Sequence, residues 1–164
     1  MTSRPPVKLG IVLGRSTHPQ TVIDDLWRQA NNCVAGFDRP LNAVVVYVDD
    51  GGQAAEPPSP AVAVVPLRLA AAGKLSAMAD SLGRSKGVPG IMGRLLTENL
   101  YSRRVARALK VHADTERRLC SSDVIVSADP AADRSVWRLR TRSSAKLMHG
   151  PFAMISALRD QSPG

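Results

Sequence analysis

The stretch that decides the fold is Val7-Lys8-Leu9-Gly10-Ile11-Val12-Leu13-Gly14, followed by Arg15-Ser16-Thr17-His18-Pro19. The first part is apolar almost throughout, which is typical of a strand that is buried on both faces of a parallel sheet. The second part is polar and leads into a helical pattern that begins at Pro19. Because ligands bind at the carboxyl ends of such strands in open α/β sheets, the loop from Gly14 to Pro19 is the first candidate for function.

The rest of the chain alternates between short β-branched runs and amphipathic helical periods. Helices are expected over residues 19–35, 67–82, 91–112, 114–120 and 131–142, and a last one is expected after Gly150. The strands are predicted at 7–13, 41–48, 61–65, 123–128 and 145–149. This order predicts an α/β fold: a single Rossmann-like, doubly wound, mostly parallel sheet of about five strands, with helices on both faces and one domain over 1–164.

Two connections are rich in proline or glycine. Residues 53–60 place three prolines in four positions, which excludes a helix or a central strand and predicts a surface connection. Residues 82–90 combine Gly83, Gly87 and Gly90 with Pro89, and they are expected to form a mobile loop.

The charge of the chain is concentrated in its second half. The net charge is +8, yet residues 1–66 hold five Lys/Arg against six Asp/Glu. Four basic residues share the polar side of the long helical segment and define a predicted basic face: Arg103, Arg104, Arg107 and Lys110. Such a face attracts phosphates of a ligand, a nucleic acid or a membrane. The simpler interpretation is a solvated surface, and only six aromatic residues count against base stacking.

Other features exclude several classes of protein. No apolar run approaches the roughly 20 residues of a spanning helix. Cys33 and Cys120 are far apart and form no metal-binding motif, so neither a metal site nor a disulfide is expected, and the setting is expected to be reducing and cytoplasmic. The G-x-G-x-x-G and G-x-x-x-x-G-K-[ST] motifs are absent, which disfavours dinucleotide-dependent dehydrogenases and P-loop NTPases.

Polar residues follow the predicted strands and are the candidate site. His18 is a candidate general base toward a hydroxyl group, although it is also readily explained as an exposed loop histidine. The expected ligand-binding residues are Gly14, Arg15, Ser16 and Thr17 after the first strand, Asp49 and Asp50 after the second, Asp129 after the fourth, and His149 with Gly150 after the fifth. Turn and helix-start chemistry also explains the aspartates.

Glu98 is the second candidate catalytic residue. In a helical projection it falls in the same sector as Ile91, Leu95 and Val105, so its carboxylate needs a partner. Either it is a catalytic acid or it forms a structural pair with Arg94 one turn earlier, and the pair is favoured. Trp27 and Trp137 are expected in the core.

Two segments carry a resemblance to a known family. Asp123-Val-Ile-Val-Ser-Ala-Asp-Pro-Ala-Ala-Asp-Arg-Ser-Val-Trp-Arg-Leu-Arg140 and Asn99-Leu-Tyr-Ser-Arg-Arg-Val-Ala-Arg-Ala-Leu109 resemble the N-terminal, acceptor-side half of actinobacterial two-domain (GT-B-type) glycosyltransferases. The resemblance implies a Rossmann-like half that binds a sugar acceptor, while a sugar nucleotide is held mostly by the other half. That half and a Glu-x-x-x-x-x-x-x-Glu donor motif are absent, so a partner chain is expected to supply the donor-binding domain.

Three functions therefore remain open, in order of preference. The first is an acceptor-side domain of a sugar transferase, inactive alone and working with a partner or retained as a remnant. The second is a stand-alone module that binds a nucleotide or another phosphorylated small ligand, with a sugar nucleotide as one such ligand and no further cofactor. The third is non-specific binding of nucleic acid through the basic half, which the low aromatic content disfavours.

Overall fold

The computed structural model describes residues 5–36 and 39–161, so the predicted domain limits at residues 1 and 164 lie outside the described residues. Five strands form one fully parallel sheet: β1 (Val7–Leu13), β2 (Leu41–Val48), β3 (Val62–Leu67), β4 (Val124–Ser127) and β5 (Lys146–His149). Their order is β3-β2-β1-β4-β5. The prediction of a doubly wound Rossmann-like sheet is confirmed.

The opening stretch occupies the centre of the sheet, and six of the seven residues of β1 are buried. β1 pairs with β2 on one side and with β4 on the other. The order of the strands reverses between β1 and β4, so the loops that follow these two strands leave the sheet in opposite directions. In many open α/β sheets, ligands bind beside such a reversal.

Helices cover both faces of the sheet and bury two separate apolar cores. The helices are α1 (Pro19–Val34), α2 (Lys74–Gly83), α3 (Val88–Val111), α4 (Ala113–Cys120), α5 (Pro130–Leu139) and α6 (Gly150–Arg159). One core contains α1 and α6, through residues such as Ile23, Leu26 and Met154. The other contains α3, α4 and α5, through Leu109, Leu119 and Val136.

The loop predicted over 82–90 is shorter than expected, because residues 84–87 alone form the tight connection of a helical hairpin. α2 continues to Gly83 and α3 begins at Val88, because close packing between the two helices outweighs the low helix propensity of glycine. A Cβ atom on Gly93 would lie 2.3 Å from the backbone nitrogen of Gly83. Gly93 therefore lets two helix backbones approach each other, whereas Gly87, with φ of +79°, lies in the connection between the two helices.

The orientation of α3 and of two aromatic side chains also differs from the prediction. Ile91 and Leu95 are 54% and 61% exposed, so the predicted inner sector is buried only from Val105 onward. The first half of α3 faces α2, and that contact buries Gly90 and Gly93 in place of the large side chains. Trp137 is 61% exposed rather than in the core, whereas Trp27 packs against the core as predicted.

β3 lies at one edge of the sheet and contains Pro66. Ala61 and Leu67 turn their carbonyl oxygens toward β2, where they accept from the backbone N–H groups of Ala43 and Asp49. Alternate residues face opposite sides, so Pro66 faces the free edge, where its missing N–H costs no ladder hydrogen bond. In the described part of the chain, no helix is long and apolar enough to cross a membrane.

Candidate functional site

The loop after β1 is held in place by the carboxylate of Asp129. Oδ2 of Asp129 accepts from the backbone N–H groups of Gly14 at 2.6 Å and Arg15 at 3.1 Å. Its Oδ1 accepts from the N–H of Ala132 at 3.1 Å, so the same side chain caps the start of α5. Asp129 was predicted to bind a ligand, but its carboxylate is engaged within the protein. It occupies the two N–H groups that a bound anion would otherwise use.

Gly14, also predicted to bind a ligand, is buried against α5. A Cβ atom at this position would lie 2.8 Å from the backbone nitrogen of Ala132 and 2.9 Å from the Cβ of Ala131. Glycine is therefore required here for the close approach of β1 to α5. The position that a Cβ would occupy is filled by α5 and is not open to a ligand.

Glu98 reaches the same loop from α3, but it pairs with Arg15 and not with Arg94. Nη1 of Arg15 lies 2.6 Å from Oε1 of Glu98, and both side chains are about half exposed, at 47% and 52%. Arg94 instead donates from Nε to the carbonyl oxygen of Gly90. The predicted Arg94–Glu98 pair is wrong, because the β1 loop presents a guanidinium that sequence spacing along one helix does not reveal.

Tyr101 completes this anchoring and was not singled out from the sequence. Its hydroxyl donates to the carbonyl oxygen of Gly14 at 2.8 Å, and the guanidinium of Arg15 stacks 4.2 Å from the centre of its ring. Burial raises the pKa of Tyr101 above its ordinary value, and the nearby carboxylate of Asp50 raises that pKa further. Tyr101 therefore acts as a neutral hydrogen-bond donor that fixes the loop.

A cavity of about 680 Å³ lies beside this loop, at the carboxyl ends of β1 and β2. Five of the predicted site residues line it: Ser16, Thr17, His18, Asp49 and Asp50. We call it the acidic cavity, because Glu56 adds a third carboxylate to its lining. The first residues of α1, from Pro19 to Thr21, form another part of the wall.

The polar groups of the acidic cavity differ in how firmly they are held. Asp49 accepts from the N–H of Gly51 at 2.9 Å and lies 3.8 Å from Nε of Arg68, so it is fixed by the turn after β2. Asp50 is exposed and forms no hydrogen bond with a described residue, and the imidazole of His18 forms none either. These two side chains are therefore free to contact a ligand.

The far wall of the acidic cavity comes from the Pro-rich connection, which is fastened to α1. The side-chain amide of Gln20 both accepts from the N–H of Glu56 at 2.7 Å and donates to its carbonyl oxygen at 3.2 Å. The hydroxyl of buried Tyr47 accepts from the N–H of Ala55 at 3.0 Å. The predicted surface connection is thus held in place by hydrogen bonds to Gln20 and Tyr47, which the proline content of the sequence did not indicate.

A second group of polar residues lies at the carboxyl ends of β4 and β5. The hydroxyl of Ser127 donates to Oδ1 of Asp133 at 2.5 Å, and Nδ1 of His149 lies 2.7 Å from the same oxygen. Nδ1 of His149 also lies 3.1 Å from the hydroxyl of Ser127, so serine and carboxylate meet the same ring nitrogen. In a Ser-His-Asp catalytic triad the serine and the carboxylate bind opposite ring nitrogens of the histidine, and this cluster does not match that arrangement.

His149 was predicted from its position after β5, whereas Ser127 and Asp133 were missed. They border a separate cavity of about 430 Å³ together with the exposed Trp137. A signal was available in the sequence: Asp133 falls in the first turn of α5, the helix that follows Ser127. Gly150 lies next to this cluster with φ of +75°, a conformation that favours glycine where the chain turns from β5 into α6.

The predicted basic face is only partly a solvated helix surface. Arg103, Arg104 and Arg107 line a cavity of about 510 Å³ together with Arg68 and His112, while Lys110 lies outside that lining. Arg104 is half-buried and donates from Nε to the carbonyl oxygen of Ala70 at 3.1 Å. We call this the basic cavity, since no Asp or Glu contributes to its lining.

No protein-family model matches this chain, and no curated protein matches it either. Among the residues that the structure describes, no three His, Cys, Asp or Glu side chains form a group suited to a metal ion. Function is therefore inferred from the charge and shape of the cavities.

Proposed function

We propose that the protein binds a small polyhydroxylated ligand of the sugar class in the acidic cavity. In this proposal it serves as the acceptor-side part of a sugar transfer whose donor-binding part is supplied by another domain or chain. The observation that carries the proposal is the convergence of His18 with Asp49, Asp50 and Glu56 around one cavity at the carboxyl ends of β1 and β2. The volume of about 680 Å³ falls within the usual range for small-molecule sites.

The charge of the cavity favours hydroxyl groups over phosphates. Carboxylates accept hydrogen bonds from sugar hydroxyls, whereas three of them together repel a phosphate. The backbone N–H groups of Gly14 and Arg15 are already occupied by Asp129, so they offer no anion cradle. A nucleotide in this cavity is therefore disfavoured relative to a neutral sugar.

His18 gives the cavity a candidate base. It precedes α1, lines the cavity, and its ring makes no hydrogen bond with the described residues. A neutral imidazole in contact with an acceptor hydroxyl takes the proton as that oxygen attacks, which is general-base catalysis. The resemblance of residues 99–109 and 123–140 to glycosyltransferase acceptor halves is the reason for proposing sugar transfer, and it assigns no catalytic role to His18 or to any other residue.

Ligand binding can be tested by isothermal titration and saturation-transfer NMR with neutral mono- and disaccharides, each compared with its phosphorylated form. Neutral sugars are expected to bind more tightly. Asp50→Asn and His18→Ala are each expected to weaken binding by about 2- to 12-fold, because each removes about 0.5–1.5 kcal/mol of hydrogen bonding.

The control is Asp114→Asn, which changes an exposed carboxylate on α4 outside the lining of the cavity. It should leave the affinity unchanged. Tighter binding of the phosphorylated form, or sugar binding that is indifferent to both cavity substitutions, would contradict the proposal.

A further inference from the structure

The helical hairpin of α2 and α3 exposes an unusual amount of apolar surface. Between 45% and 72% of each of eight large side chains is exposed: Leu75, Met78, Leu82, Val88, Ile91, Met92, Leu95 and Leu96. Within α2 only Ala79 is buried, and α2 packs principally against α3. Scattered exposed apolar residues are ordinary, but eight within 22 residues mark an interaction surface.

Part of this apolar surface is continuous across the two helices. Leu82 of α2 lines a shallow cavity of about 340 Å³ together with Met92, Leu95 and Leu96 of α3. The close approach at Gly93 brings these side chains to one side of the hairpin. We call these four residues the apolar patch.

The same segment carries nearly all of the net charge of the chain. Residues 68–111 contain nine Lys/Arg and two Asp/Glu, a net charge of +7 out of +8 for the whole chain. Glu98, one of the two acids, is paired with Arg15. The basic cavity also lies against the hairpin, since Leu75 and Val111 line it beside Arg103 and Arg107.

We propose that the hairpin docks on the surface of a membrane that contains anionic phospholipids. The apolar patch would enter the boundary between headgroups and acyl chains, and the Lys and Arg side chains of residues 68–111 would contact lipid phosphates. The basic cavity provides a concave place for one such phosphate beside apolar residues. This inference concerns a surface distinct from the acidic cavity and does not depend on a sugar ligand.

The charge and the composition disfavour other occupants. A second copy of the chain would bring another hairpin of charge +6, counted over residues 74–111, to the same surface, and the two would repel each other. A nucleic acid would satisfy the cations, but it would not bury Leu and Met side chains beside them. An anionic bilayer satisfies both features at once.

Vesicle co-sedimentation tests the inference directly. The protein is expected to bind vesicles of phosphatidylcholine mixed with phosphatidylglycerol, to bind phosphatidylcholine alone much more weakly, and to lose binding as salt is raised. The double substitution Met92→Ser with Leu95→Ser is expected to weaken binding roughly tenfold or more, because two large apolar side chains are no longer available for burial. Circular dichroism would verify that its helix content is unchanged.

Two further variants make the test specific. Arg84→Gln with Lys86→Gln leaves the apolar patch intact and is expected to reduce binding to the anionic vesicles and its salt dependence. Phe152→Ser removes an apolar side chain that is 88% exposed on α6, and it is expected to leave binding unchanged. Equal binding to both vesicle types would overturn the proposal. So would tighter binding to duplex DNA than to vesicles, or self-association abolished by the Met92/Leu95 substitution.

Discussion

The carboxylate of Asp129 is expected to be among the most important polar groups for stability, and Asp129→Ala tests this. Replacement by alanine removes the N-cap of α5, at a cost of about 1 kcal/mol. It also leaves the N–H of buried Gly14 without a partner, which adds about 1–3 kcal/mol. Arg15 is exposed, so water replaces its lost hydrogen bond. The expected loss in the free energy of unfolding is about 2–4 kcal/mol.

Urea denaturation followed by circular dichroism measures this loss, and a loss of about 3 kcal/mol corresponds to a fall in Tm of roughly 6–12 °C for a chain of this size. Asp129→Asn is expected to fall between wild type and alanine. Its amide has a single acceptor oxygen, which can cap α5 or hold Gly14 but cannot do both. Asp114→Ala, which removes a carboxylate from an exposed ion pair, should cost about 0.5 kcal/mol or less. A loss in Asp129→Ala no larger than that of the control would refute this account.

Two further substitutions test the anchoring of the β1 loop and the packing of the hairpin. Tyr101→Phe should lower the free energy of unfolding at neutral pH by about 0.5–1.5 kcal/mol, since the carbonyl of Gly14 loses its donor. Folding raises the pKa of Tyr101, so the stabilisation by its hydroxyl is fully present below pH ~10 and is lost as the pH rises through the pKa of the folded state. Urea titrations at several alkaline pH values should therefore show the free energy of unfolding of the wild type approaching that of the mutant. Gly93→Ala should speed hydrogen exchange in residues 74–96, because the new methyl meets the backbone of Gly83, whereas Gly36→Ala, with open space around it, should not. Unchanged exchange in Gly93→Ala would show that the helices separate at little cost.

The strands could be predicted from the sequence because each is a local run of β-branched and apolar residues. All five observed strands lie within about two residues of the predicted ranges, and boundary shifts of that size are ordinary. The hairpin could not be predicted in the same way. Glycines at 83, 90 and 93 have the same local signature in a loop and in a close helix contact, and only the position of the second helix distinguishes the two. Trp137 was misplaced for a related reason, because an apolar side chain on a helix does not reveal whether that face meets a neighbour.

The candidate site was predictable to the extent that it follows strand ends. Ser16, Thr17, His18, Asp49 and Asp50 meet in one cavity because the carboxyl ends of neighbouring parallel strands share one edge. A helix start at Asp129 was expected and is observed, but the long-range partners of Asp129 and Glu98 were not predictable. They lie 114 or 115 and 83 residues away along the chain, and spacing within a helix reports only on neighbours of the same helix. The position of Glu56 in the lining of the cavity was not predictable for the same reason, because it depends on a hydrogen bond to Gln20, which is distant along the chain.

The proline in the edge strand limits how this protein can assemble with others. On the free side of β3 the backbone groups of Val64 and Pro66 point outward, but Pro66 has no N–H to offer, and the N–H of Val62 already donates to the carbonyl oxygen of Ser59. An extended peptide or the edge of another sheet would therefore find its ladder of hydrogen bonds interrupted at that position. Growth of the sheet by strand addition at β3, whether in a functional complex or in an aggregate, is therefore disfavoured. At this edge of the sheet, a partner polypeptide is therefore expected to engage side chains rather than the backbone of β3.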